Sequence, residues 1–134
     1  MMSYNEKKKY LTIHRNTIFT IQRLRKQLQK TKDALGLRGI SYTSMPKGHG
    51  LTQEDLTIEK IDLEERIGRL CEENRRRKKI IEKAAEKMEN KKLACIVELY
   101  FLRGFDEIDI SIEFGNHTRT IEKNIKKAIA QIEI

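Results

Sequence analysis

Four cations near the end of the chain, Arg119, Lys123, Lys126 and Lys127, follow one another at spacings of four, three and one. On an α-helix, at about 100° per residue, they fall within an arc of about 100°. Ile121, Ile125, Ala128 and Ile132 fall on the opposite face. A helix docked by an apolar face and cationic on the other has what is needed to enter a nucleic-acid groove. Lysine supplies attraction to phosphate there. Arg119, near the N-terminal end, has the forked donors that match a base edge. The competing reading is an amphipathic helix whose lysines only solvate it. Other chemistries lack their parts. His14, His49 and His117 sit in three separate segments without metal-ligand spacing, and each reads as structural or exposed. Cys71 and Cys95 lie far apart and imply no disulfide framework. Gly48-His49-Gly50 is not followed by the Gly-Lys-Ser/Thr ending of a phosphate-binding loop. No enzyme, no metal and no cofactor is expected.

Composition points the same way. In 134 residues, 38% are hydrophobic and 36% charged, with no Trp. That is too polar for one thick core and too apolar for disorder, and it suits long solvent-washed helices with a compact piece attached. The net charge of +8 is uneven. Residues 1–50 hold eleven Lys/Arg against two acids, a local +9; residues 51–90 come to −1 and residues 91–134 to zero. A basic first third invites an anionic partner, nucleic acid or an acidic protein. The longest apolar stretch, Leu93 to Leu102, is interrupted by Glu98 and falls far short of the roughly 20 residues of a membrane span. Lys7-Lys8-Lys9 has no apolar block behind it, so no signal peptide is expected.

The elements that must position the cationic helix are themselves helical. Tyr10, His14, Thr17, Ile21, Leu24, Leu28, Thr31 and Leu35 alternate steps of four and three, a heptad seam. Leu56, Lys60, Leu63, Ile67, Leu70, Asn74, Arg77, Ile81, Ala84 and Met88 repeat it. Between them, Gly36 to Thr52 holds four of the seven glycines and the single proline, Pro46, and reads as a connecting loop at 36–52. Thr52, with Asp55 three residues on, offers a capping box for the second helix. Two such helices fold back as an antiparallel hairpin, with a coiled coil between subunits as the rival and Asn74 as a register-fixing contact in it. Arg75-Arg76-Arg77-Lys78-Lys79 spreads around the helix, and Glu72–Arg76, Glu73–Arg77 and Lys78–Glu82 stand at i,i+4, so a self-paired solvated surface is favoured over a nucleic-acid patch.

The expected division is 1–89, two long helices, and 90–134, three short ones. Asn90 caps a helix through Leu93, Ile96, Val97, Tyr100 and Phe101 to a stop near Gly104. Asp106, with Asp109, opens the next, which ends at Phe114-Gly115; the last begins at His117-Thr118. Ile108, Ile110, Ile112 and Phe114 also alternate like a strand, but the flanking segments are helical and no second strand is available to pair.

Asp109 to Ile121 resembles the helix-turn-helix of region 4 in sigma-70-type factors. Ile110 falls on its core aliphatic, Ser111 on its small residue and Phe114-Gly115 on its Leu-Gly turn, and Thr118-Arg119-Thr120-Ile121 opens its recognition helix. Asn116 and His117 stand where that pattern has an apolar residue and a small hydroxyl cap. The whole chain also resembles small phage-encoded transcriptional regulators of the ArpU/RinA type, through Tyr42-Thr43-Ser44-Met45-Pro46-Lys47-Gly48 and Ile61-Asp62-Leu63-Glu64-Glu65-Arg66-Ile67. The resemblance implies an all-α protein with a long helical hairpin or coiled coil followed by a sigma-region-4-like domain. It further implies a sequence-specific regulator of phage or prophage genes that acts in the cytoplasm of a bacterial host. His117, Thr118, Arg119, Thr120, Lys123, Lys126 and Lys127 then form the DNA-binding set.

Two alternatives belong to other classes: a packaging or assembly adaptor like a small terminase subunit, and a protein that binds RNA polymerase through its basic first helix. The expected partners are therefore double-stranded DNA, RNA polymerase and further copies of the chain. Ile108 and Ile112 point about 160° away from Ile110 and Phe114, where the sigma-like pattern has polar residues. They are expected to meet the long hairpin or another subunit, to form an exposed partner surface, or to be covered by the Leu93–Phe101 helix.

Overall fold

The computed structural model describes residues 2–38 and 52–134, and every regular element among them is helical. α1 (Tyr4–Arg38) and α2 (Gln53–Glu86) are the two long helices, and α3 (Lys91–Val97), a π-helical turn (Glu98–Leu102), α4 (Glu107–Phe114) and α5 (Thr118–Gln131) follow. The caps behave as side-chain chemistry dictates. Asp55 N–H donates to the Thr52 hydroxyl at 3.0 Å, and Thr52 N–H donates to the Asp55 carboxylate at 3.2 Å, so two orphan donors are satisfied reciprocally. Asn90 accepts from Leu93 N–H at the start of α3.

Every position of both heptad seams is buried or half-buried. The chain nevertheless divides into two compact units that cut across the long helices: residues 1–19 with 73–134, and residues 20–72. α3, α4 and α5 are too short to enclose a core, and the cluster that contains Leu93, Ile96, Phe101, Ile110, Ile121, Ile129 and Ile132 is completed by Leu11 of α1 and by Ile81, Ala84, Ala85 and Met88.

In this first unit the polar seam positions form one connected layer. Asn74 donates to the His14 carbonyl at 3.4 Å and accepts from Arg77 at 3.0 Å, while Arg77 also donates to the Thr17 hydroxyl at 3.3 Å. Asn74 thus fixes register within one chain. In residues 20–72 the arms run in opposite directions, with Arg25 reaching Cys71 and Gln27 reaching Glu59, around buried Ile21, Leu24, Leu56 and Leu63.

Two expectations are corrected. The loop does not start at Gly36, because α1 continues to Arg38; one glycine costs a helix only about 1 kcal/mol. The rest of the loop reading, with Gly39, Pro46 and His49, lies outside the described residues. The helix from Asn90 is not uniform either. It is α-helical only to Val97 and then widens, Arg103 N–H donating to the Glu98 carbonyl five residues back and Phe105 N–H to that of Leu99. Gly104, at φ 75°, ends it, and a Cβ there would lie 3.6 Å from the Phe19 ring.

Candidate nucleic-acid interface

α4 is held at both ends by local bonds. Asp106 accepts from Asp109 N–H at 2.7 Å, and the Asp109 carboxylate returns to Asp106 N–H at 3.5 Å. At the other end Gly115 adopts φ 68°, a left-handed conformation that a side chain disfavours. The Ser111 carbonyl then receives both Gly115 N–H and Asn116 N–H. After three connecting residues, Gly115 to His117, the chain enters α5. His117 is its cap: Nδ1 accepts Arg119 N–H at 3.2 Å, which requires the ring proton on Nε2. A histidine thus does the work of the small hydroxyl it replaces.

From this turn α5 presents two unlike faces. Ile121, Ile125, Ala128, Ile129 and Ile132 are buried, Ile121, Ala128 and Ile132 completely. Arg119, Thr120, Lys123, Lys126 and Lys127 are exposed. Of the expected binding set, the structure brings Arg119, Lys123, Lys126 and Lys127 together on the outer face. Thr118 is half-buried at the first helical position, and His117 is committed to the cap.

α4 is apolar on both sides. Ile110 is fully buried, with Phe114 packed partly against the same core, whereas Ile108 and Ile112 are 60% and 75% exposed. α3 does not cover them. Residues 104–118 carry Asp106, Glu107, Asp109 and Glu113 and no Lys or Arg, so the exposed isoleucines lie in an acidic stretch of a basic chain.

Residues of α1 that periodicity alone does not single out support this region. The Arg15 guanidinium lies 4.0 Å from the Tyr100 ring centre and 4.7 Å from that of Phe19, and it donates to the Phe105 carbonyl at 3.1 Å, ahead of α4. Lys7 Nζ donates to the carbonyls of Ala130 (3.0 Å) and Ile132 (2.8 Å) at the end of α5. These pairs are separated by 90 to 125 positions in sequence. The Lys7-Lys8-Lys9 run was the one available signal.

The Arg75–Lys79 cluster has largely local engagements. Lys78 pairs with Glu82 at 3.7 Å, Arg77 turns toward Asn74 and Thr17, and neither Arg75 nor Arg76 is without a partner. Cys95 borders a groove of about 370 Å³ together with Glu82, Glu86 and Glu98. Burial, then Glu98 and Glu113, pushes its thiol up, the opposite of nucleophile activation. Among the described residues no group of three or more His, Cys, Asp or Glu is placed to hold a metal ion, and no helix is long and apolar enough to cross a membrane. Compared with known proteins, the chain matches no family model, no curated protein and no solved structure.

Proposed function

We propose that this protein is a sequence-specific double-stranded-DNA-binding regulator of transcription that reads the major groove with α5. The observation that carries the reading is the division of one helix into a buried aliphatic face and an exposed face bearing Arg119, Lys123, Lys126 and Lys127, entered through a left-handed glycine turn from α4. Lysine charges draw in the phosphate backbone, and Arg119 in the first turn reads a base edge. The likeness of Asp109–Ile121 to sigma region 4, and of the chain to ArpU/RinA-type regulators, supports phage or prophage genes in a bacterial cytoplasm as the targets. Selection of bound sites from random duplex DNA, followed by titration of the selected site against random competitor at several salt concentrations, tests it. An enriched site with salt-dependent affinity is expected; equal binding to all duplexes, or none, would overturn it.

A second reading rests on a different observation. Ile58 and Ile61, three residues apart on α2, are 55% and 50% exposed, which favours self-association of the 20–72 unit and with it an assembly or packaging adaptor. A closed oligomer in light scattering, without site-specific DNA binding, is the outcome that would replace the first reading by this one. The acidic apolar surface at Ile108 and Ile112 is the place where either protein would meet a further protein partner.

A further inference from the structure

We infer that the duplex-binding surface extends beyond the helix-turn-helix to the first turns of α1, where Lys8 and Lys9 contact phosphates flanking the site read by α5. The inference rests on α5 being a recognition helix. Its own observation is the pair of bonds from Lys7 Nζ to the carbonyls of Ala130 and Ile132. The last carbonyls of a helix have no partners within it and carry partial negative charge, so an ammonium group is well placed there. One turn on, Leu11 is fully buried in the same cluster as Ile129 and Ile132. The start of α1 is thereby pinned beside the C-terminal end of α5.

Lys8 and Lys9 follow within about 3 Å along the helix axis and at about 100° and 200° around it from Lys7. Both are exposed. Lys8 has no acidic residue three or four positions away in either direction. Lys9 has only Glu6, whose carboxylate accepts from the Ser3 hydroxyl at 3.1 Å. With Lys7 committed to α5, Lys8 and Lys9 stay exposed on the same first turns of α1, and Lys126 and Lys127 lie within the last turns of α5 itself. Glu133 is the one opposing charge in that stretch of α5 and its tail. A recognition helix whose N-terminal residues meet the bases carries its other end out of the groove past a sugar-phosphate strand, where cations position the protein without reading sequence. The cations at the start of α1 thus acquire a specific ligand, the phosphodiester backbone.

The test uses the full chain with Lys8→Gln and Lys9→Gln together, on the selected duplex, from about 0.1 to 1 M salt. Each lost phosphate contact removes about 0.9 from the slope of log affinity against log salt. The double variant should therefore lose about 1.8 in slope and bind about 60-fold more weakly at 0.1 M, approaching the parent near 1 M. Melting temperature and base preference should be unchanged, and Lys8→Arg with Lys9→Arg should restore the slope. An unchanged slope in the double Gln variant, while Arg119→Ala still relaxes base preference, overturns the inference and leaves the α5 reading standing. A loss that arginine does not restore overturns it as well. Absence of salt-dependent duplex binding by the parent overturns both.

Discussion

Both long helices obey one heptad rule along their length, yet the rule produces different interiors in the two units. In residues 1–19 with 73–134, the seam positions Ile81 and Ala84 join helices α3 to α5 in a cluster where Leu11, Ile96, Ile110, Ile121 and Ile132 are each 0% exposed. In residues 20–72 the same spacing leaves Leu28, Leu35, Ile67 and Leu70 half-buried, and Leu24 at 2% is the deepest aliphatic among the described residues. Periodicity decides which side of a helix turns inward. The number of elements that cover that side decides how far water is excluded, and two helices alone cannot match a cluster drawn from five.

That difference is broken most directly by truncation. Ile121→Ala, in the multi-helix cluster, is expected to cost roughly 2–5 kcal/mol, because the side chain is wholly enclosed and its neighbours cannot all move in. Leu28→Ala in the hairpin should cost about 1 kcal/mol, in proportion to its partial burial. Urea unfolding of the two variants measures the gap. Equal losses would mean that depth of cover is not what separates the units.

The buried polar layer of the first unit gives the next largest effect. His14 is 2% exposed, its Nδ1 has no hydrogen-bond partner among the described residues, and burial, then Arg77 and Lys78, lowers its pKa from 6.5 to about 4. Below pH 6.5 the unfolded chain takes up a proton that the folded one refuses. Stability should therefore fall as pH drops from 6.5 to 4, by about 3 kcal/mol in all, and be unaffected by this group above 6.5. His14→Leu removes the titration. The check is urea unfolding at pH 7 and pH 4, in which the variant must lose less than the parent; matched losses would show that His14 is not the group responsible.

Much of this is legible in the sequence. The seams, the Thr52–Asp55 box, the Asn90 and Asp106 caps, the turn at Gly115 and the two faces of α5 all follow from local chemistry and angular arithmetic. Three things did not. Leu11 lies off the Tyr10–His14 seam and yet is fully buried, in a cluster that also draws on α2, α3, α4 and α5. The π-helical turn at Glu98–Leu102 is a tertiary choice for which ELYFL gives no propensity signal. The bonds of Lys7 and Arg15 to α5 and the α4 approach join residues far apart in sequence, and no pattern in one chain encodes such distances. The cationic face of α5 is readable as a pattern of charge, whereas the α1 residues that brace the helix are not.

A finer contrast lies within the cationic surface. Arg119→Ala should cost about 1–3 kcal/mol at the preferred site and relax preference at one base position. Lys123→Ala and Lys127→Ala should weaken binding to every duplex alike and lower the salt slope by about 0.9 each. Competition titrations with single-base site variants distinguish them. If all three variants bind as the parent does, α5 is not the reading helix.

The smallest expected stability effect falls on the other face of the α4–α5 pair, where Ile108 and Ile112 stand among carboxylates instead of cations. Replacing both with Glu in the full chain removes little buried area, because these side chains are already 60% and 75% in water. Position 108 lies in the first turns of α4, where a carboxylate is favoured by the helix dipole. The like-charge pair the substitutions create at i,i+4 costs a few tenths of a kcal/mol. Those terms nearly cancel, so stability should move by no more than about 0.5 kcal/mol. A urea midpoint lowered by the equivalent of about 2 kcal/mol or more would show that the isoleucines are packed in solution. With stability held, light scattering and transcription from a template bearing the selected site become clean readouts. Loss of assembly or of activation, with duplex affinity intact, would assign α4 to a protein partner and leave α5 to DNA, two neighbouring helices with opposite charge and separate ligands.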